Sequence, residues 1–524
     1  MLLVRWAPLR MPYKAGSQYQ DAVPPTDMSF LESAPADVIR EIGYLGASSV
    51  LDCQDILSLL LTSSRLYRTL NIHNCPSVYA AAFRVTYGSP GGPVASTFLA
   101  AELVRRCNLL RRLRKDDMTC DGRLKEDLRT AVCMRGEIND DTDKRLADLS
   151  LPRFVWKLWQ TTCVSETADL EIKGLLLILL SMTVSYEDLC NATFRDQLTN
   201  SLAPYVLLMV REQVARDAPP TEGENTLDVS PAADGVYRPD GTCHALEPIA
   251  LPSLLFFTGG YALSPAHAVL QLYCAAQLRQ LEAPPYLPLT RASAVQHNRG
   301  GPTQKDCLAF SALRMPLFAD AHDRARADAH SAPAAPLAPG ALTGVWEGFY
   351  MVAYESLQLD EEALATSVPQ DFGARRPLQC ALTEYLSDDS EHTLSGLDPQ
   401  TMEPTQLSLR RITKVEGGFE RGGVRYAYTI IRPDAPQPRG GAHWLVTGTT
   451  EREHTEAWGE YVYSGDVQDD GRVHLIRQPV EESGEGEWLF SGRVVPGGAL
   501  VGCFRVLHGA GGGVRGVFSM RKRA

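Results

Sequence analysis

The chain changes character once, between residues 319 and 341, and this break constrains the fold more than any other feature. The run ADAHDRARADAHSAPAAPLAPGA is built from alanine, proline and aspartate, and bulky side chains nearly vanish from it. A segment with so little apolar surface has nothing to bury, so it reads as an inter-domain linker. Of the 42 glycines in the chain, 25 fall in 343–524, which suits many tight turns. At 524 residues the chain is also too long for one ordinary core. The expected class is multidomain α+β, helices first and antiparallel strands after.

After the break, short runs alternate with period two, as half-buried strands do. Trp346, Gly348, Tyr350, Val352 and Tyr354 share one face. Val424, Tyr426, Tyr428 and Ile430 share another. Further strand candidates are Leu378–Leu382, Leu407–Leu409, Trp444–Val446, Tyr461–Tyr463, Val473–Ile476, Trp488–Phe490, Leu500–Val506 and Val514–Ser519. Turn signals such as Asp470-Gly471 separate several of them. Eight or more strands without intervening helices predict a barrel or sandwich over 342–524.

Before the break, from 76 to 318, the pattern is helical. In 206–218, Val206, Val210 and Val214 recur at i, i+4, i+8. Ser264-Pro265 opens a second helix, since serine caps and proline fits the first turn. A polar stretch rich in Pro, Asp and Gly near 217–250 reads as a surface loop. The apolar run Leu175–Leu180 is far shorter than the ~18–20 residues a membrane span needs and predicts a buried helix. Residues 1–28 lack periodicity and read as a tail.

Composition narrows the partners. The net charge of −12 argues against a nucleic-acid role, because phosphate binding needs a basic field. The twelve cysteines form no C-x-x-C pair, so structural zinc has no spacing signal and free thiols in a reducing compartment are expected. No phosphate loop, nucleophile elbow or H-E-x-x-H is present. The acidic group Glu451, Glu453 and Glu456 and the dispersed histidines, with His443 and His454 the closest pair in the β-rich part, suggest solvated turns more than a catalytic centre.

Residues 35–68, PADVIREIGYLGASSVLDCQDILSLLLTSSRLYR, combine a proline start, an acid at Asp37 and the aliphatics Val38 and Ile39. Ile42 and Leu45 follow at helical spacing from Val38. Then come Asp55, Ile56, Leu57, Leu59, Leu60, Ser63, Arg65 and Leu66. In this order, the segment 29–75 resembles an F-box, the module that joins a protein to a cullin ubiquitin ligase through a Skp-type adaptor. Ala34 replaces the leucine often found before the proline, and the connection from Leu45 to Asp55 is longer than usual. A helical hairpin this short must pack one face on a partner. The resemblance implies an adaptor face of Pro35, Val38, Ile39, Ile42, Leu45, Ile56, Leu57 and Leu60.

Gly344, Trp346 and Gly348 form G-x-W-x-G at the first predicted strand. This is similar to the opening strand of calycin-type barrels, the lipocalin and fatty-acid-binding group. The resemblance implies a calycin-like barrel whose tryptophan closes one end, with Arg521 of the last strand stacking on it. The chain is similar to F-box proteins of fungal layout that carry such a barrel after a helical segment. They imply a non-catalytic, cytoplasmic or nuclear substrate receptor that needs no cofactor. Its partners would be the Skp-type adaptor, the cullin scaffold and a protein target, with neither nucleic acid nor membrane involved. Trp346, Tyr350, Trp444, Trp458 and Trp488 are the candidate pocket residues, with Tyr461 and Tyr463 beside them. The competing reading is a barrel that holds a small apolar molecule or haem, with a regulatory helical part.

Overall fold

The computed structural model describes residues 34–49, 60, 62–89, 93–137, 140–163, 169–217, 265–278, 283, 285–297, 301–315, 317, 340–353, 375–387, 412–415, 418–421, 424–426, 428–430, 443–467, 471–480, 486–495, 498–508 and 514–523. The expected tail 1–28, the loop near 217–250 beyond Asp217, the linker up to residue 339 and the strand Leu407–Leu409 lie outside them. So do Asp55, Ile56, Leu57 and Leu59 of the F-box-like pattern. The chain condenses into two compact units, Met1–Leu103 and Val104–Ala524.

The first unit contains α1 (Ala36–Ser49), α2 (Ser64–Leu70), α3 (Pro76–Tyr87) and the start of α4 (Ser96–Lys115). Asp37 places its charge in the first turn of α1, where the helix dipole favours an anion. Ser63 caps α2 by accepting the Arg65 N–H at 3.2 Å, and Arg65 Nη2 donates to the Ala34 carbonyl at 2.7 Å. Asn71 turns the chain from α2 into α3 by accepting the N–H groups of His73 and Asn74. Pro76 then opens α3 at a position where no N–H is needed. The core includes Ile39, Leu66, Leu70, Val78, Phe83, Tyr87 and Leu99. Gly43 lies one turn after Ile39, and a Cβ there would come within 2.9 Å of the Leu70 side chain. Its bare backbone lets α1 approach α2 closely.

The helical part of the second unit continues through α5 (Leu124–Gly136), α6 (Asp140–Asp148), α7 (Leu151–Thr162), α8 (Leu170–Thr183), α9 (Ala192–Asp217), α10 (Pro265–Leu278), α11 (Arg291–Gln296) and α12 (Gln304–Ser311). The apolar run expected as a buried helix is α8, buried from Ile172 to Thr183 and capped by Asp169. It packs against α5, α7 and α10. Helix α10 is buried on all sides from Ala268 to Leu278. One side meets α8 and α9, and another meets the barrel strands described next.

Twelve strands are described: β1 (Gly344–Ala353), β2 (Arg375–Ser387), β3 (Ile412–Val415), β4 (Gly418–Arg421), β5 (Val424–Tyr426), β6 (Tyr428–Ile430), β7 (His443–Thr449), β8 (Tyr461–Val467), β9 (Arg472–Pro479), β10 (Glu487–Val494), β11 (Ala499–His508) and β12 (Arg515–Lys522). Eight of them, β1, β2 and β7 to β12, form a closed antiparallel barrel in chain order, with β1 bonded to both β2 and β12. Strands β3, β4 and β5 make a separate three-stranded sheet. A further helix, α13 (Arg452–Trp458), connects β7 to β8.

The run Val424–Ile430, expected as one strand, divides between two sheets. The reason lies in β2, which outruns β1: Gly344 pairs with Leu382, while Tyr385 to Ser387 project past that point. β6 takes the edge this leaves open.

The barrel interior is one cluster that includes Trp346, Tyr350, Leu378, Cys380, Tyr463, Leu475, Phe490, Phe504 and Phe518. The G-x-W-x-G motif has a packing reason. A Cβ on Gly348 would fall 2.0 Å from the Ser519 carbonyl of β12, so only glycine lets the strands close there. The Trp346 indole N–H donates to the Leu342 carbonyl at 2.7 Å, which satisfies it inside the core.

Candidate functional site

Two regions can do more than support the fold. The first is the outer side of α1. Its inner seam consists of Ile39 and Gly43, while Val38, Ile42 and Leu45 are 43%, 44% and 56% exposed. Spacings of four and three residues put these three on one helix face. Tyr44, 41% exposed, leads from that face to a shallow depression of about 400 Å³ lined also by Arg40, Glu41, Cys75, Pro76 and Ser77. The arrangement is an apolar stripe beside a polar rim.

Among the residues implied for adaptor binding, Pro35 is exposed and Leu60 half-buried. Ile39 needs a correction: it is 1% exposed and belongs to the unit's own core. The helix can turn only one face inward, and adjacent Val38 and Ile39 lie 100° apart, so one must face out when the other packs in. Ile56 and Leu57 lie outside the described residues.

The second region is the barrel interior. Tyr350 meets Trp488 edge-on at 5.2 Å and Phe504 at 5.3 Å. Trp488 stacks on Phe504, also at 5.2 Å, and Phe504 stacks on Phe490 at 5.4 Å. Arg477 enters this aromatic assembly from β9. Its guanidinium carbon lies 3.4 Å from the centre of the Tyr461 ring, 5.4 Å from Trp488 and 5.5 Å from Tyr350. Burial pushes the Tyr463 hydroxyl far above the usual phenol range, with Arg477 pulling the other way.

The pocket residues expected from sequence separate accordingly. Trp346 and Tyr350 join the interior, and Trp444 and Trp488 pack half-buried against it. Trp458 does not join them; it ends α13, outside the eight strands. Arg521 does not stack on Trp346. The β1–β12 register sets Arg521 opposite Glu347, and strand alternation puts that pair on the outer surface. There Glu347 accepts from Arg521 at 2.6 Å and from Arg523 at 3.2 Å.

Two functional candidates were missed, Arg477 and Glu384, and alternation could have found both. They continue the inward rows Val473, Leu475 and Leu378, Cys380, Leu382. Glu384 is wholly buried, and its Oε2 accepts from the N–H groups of Leu342 and Thr343, each at 2.8 Å. It thereby pins the segment entering β1. Burial raises its pKa against the pull of those bonds.

The acidic group in the β7–β8 connection is largely engaged in structure. Glu451 accepts from Gln379 at 2.7 Å and Arg523 at 2.9 Å, and Glu456 lies 3.5 Å from Arg291. No group of three or more His, Cys, Asp or Glu side chains gathers as a metal site among the described residues. His474 sits on the outer face of β9 with Nδ1 2.9 Å from the Ser491 hydroxyl. Burial pushes the thiols of Cys274 and Cys380 up, and that of Cys503 up to about 12, so these remain unionised.

The fold therefore defines a multidomain α+β protein with a closed eight-stranded antiparallel barrel. No family model, curated protein or solved structure matches the chain. Among the described residues, no helix is long and apolar enough to cross a membrane.

Proposed function

We propose that this chain is the substrate-recognition subunit of a Skp–cullin–F-box ubiquitin ligase. In that role α1 and its neighbours dock on the Skp-type adaptor, and the calycin-like barrel holds the target protein. The observation that carries the reading is the exposed stripe Val38, Ile42 and Leu45 on α1, following Pro35 and Asp37 in the order an F-box requires. Apolar side chains at one-turn spacing on a short helix are suited to a partner's groove. Catalysis would then rest with the ligase's other subunits, and this chain would act by proximity, holding the target near the charged ubiquitin carrier.

The test is a pull-down with purified Skp-type adaptor, using the wild type and a Val38→Asp, Ile42→Asp, Leu45→Asp variant. The three positions are exposed, so thermal stability should move by no more than about 0.5 kcal/mol per site. The wild type should bind and the variant should not. A wild type that fails to bind the adaptor sinks the reading.

A further inference from the structure

The four most exposed large apolar side chains among the described residues lie in one stretch of chain: Tyr286, Leu289, Val295 and Leu308, 58–76% exposed. This stretch holds α11 and α12 and is firmly built. Gln304 and Lys305, which open α12, donate their N–H groups to the carbonyls of Pro288 and Leu289 at 2.8 and 3.2 Å. The Gln304 side chain reaches the Leu287 carbonyl at 2.9 Å, and Arg291 of α11 pairs with Asp306 of α12 at 3.0 Å. Leu308 follows Gln304 by one helical turn and Val295 follows Arg291 by one, so both stand beside these bonds, as Tyr286 and Leu289 do. Phe310 anchors α12 to the outer face of β1, edge-on to Phe349 at 6.2 Å. A firm mount that leaves four bulky apolar side chains in water is suited to a partner.

Charge distinguishes the partners. Arg291 already has two acids, Asp306 and Glu456 of α13. Lys305 is exposed, and no carboxylate pairs with it among the described residues. Arg314, just past α12, is exposed too and lies over the Tyr186 ring at 4.4 Å. The surface is therefore apolar with a positive margin, on a chain whose net charge is −12. An anionic bilayer would meet that whole negative field, whereas a peptide feels only charges within ~8 Å at physiological salt. The barrel interior is filled by Tyr350, Phe490, Phe504 and Phe518, so a protein target must dock outside it. We propose that the exposed face of α11 and α12 binds an acidic amphipathic peptide segment, and that the target docks there. The partner's role as a ligase target rests on the function proposed above; the surface does not.

The experiment uses the full chain and a fluorescein-labelled peptide of about twelve residues, with leucines on one helix face and glutamates on the other, read by anisotropy. A counterpart peptide carries lysine for glutamate. The wild type should bind the acidic peptide at least about tenfold more tightly than its counterpart, and more weakly as salt rises. Leu289→Ser, Val295→Ser and Leu308→Ser together should cost at least about tenfold in affinity without moving the melting temperature, since all three side chains are exposed. Lys305→Glu alone should weaken the acidic peptide by about twofold or more. No binding by the wild type, equal affinity for the two peptides, or unchanged affinity in either variant would each overturn the proposal. So would capture of phosphatidylserine vesicles by the wild type but not by the serine variant, which would assign the surface to a membrane. Adaptor binding without peptide binding removes this surface and leaves the ligase reading standing; peptide binding without adaptor binding does the reverse.

Discussion

Arg106 and Arg112 on α4 are as deeply buried as Arg477 on β9, yet the two regions treat a buried cation in opposite ways. Arg106 forms a two-pronged pair with Glu137, one arm 2.8 Å long, with both side chains almost wholly buried. Arg112 reaches Asp127 and Asp121 at 2.6 Å each and the carbonyls of Asp117 and Thr119 at 3.2 and 3.0 Å. Those guanidinium groups tie the ends of helices together. Arg477 touches ring faces and leaves donors idle. A buried charge with its bonds made is architecture; one with bonds unmade is open to chemistry.

Breaking the helical pairs should cost the most. Glu137→Ala removes both arms of the buried Arg106 pair and should destabilise the protein by about 3–5 kcal/mol in chemical denaturation. A loss under about 1 kcal/mol would erase the distinction between the two regions. Arg112→Met leaves Asp127 buried and unpaired, so it too should lose about 3–5 kcal/mol, whereas Arg477→Met, which strands no carboxylate, should lose less than about 2 kcal/mol. Equal losses in the two methionine variants would mean that the barrel cation is structural after all. Aromatic packing supplies a second calibration: Phe504→Ala should cost about 3–5 kcal/mol by opening the stack.

The smallest effect is a pH dependence where α10 meets the barrel. Burial, with Arg493 and Arg472 adding to it, lowers the His267 pKa to about 4 from 6.5. The folded state thus resists protonation that the unfolded chain accepts, so His267 should withdraw stability as pH falls from 6.5 toward 4, by something on the order of 2 kcal/mol. Unfolding curves for wild type and His267→Gln should diverge in that window alone. Parallel curves would remove the histidine from the account.

The barrel was legible because inward rows repeat every second residue, and β2, β7 to β12 and the G-x-W-x-G start all follow runs visible in the sequence. The helix α8 was legible for a similar reason, as a run with no polar face. Helix α10 was half legible: its start at Ser264-Pro265 can be read, but its barrel contact cannot, because a helix apolar all round does not say what surrounds it. At α1 the sequence offers Val38, Ile39, Ile42 and Leu45 as equals. Gly43 decides among them, by allowing close approach on the side of Ile39. Arg477 and Glu384 were overlooked because a charge at the end of a strand reads as a solvated terminus unless the alternation is followed through to it.

The way the barrel closes has a kinetic consequence. Its strands join neighbour to neighbour along the chain, except at the seam between β1 and β12, where Glu347 meets Arg521 across 174 positions. Hairpins form early because their loops are short, and a ring shut by its two most distant strands must wait for that search to succeed. Until then β1 and β12 each offer an open edge to any strand that comes by. The Glu347 cluster with Arg521 and Arg523 thus lies on the joint whose closing turns a sticky open sheet into a ring with no edge there to extend.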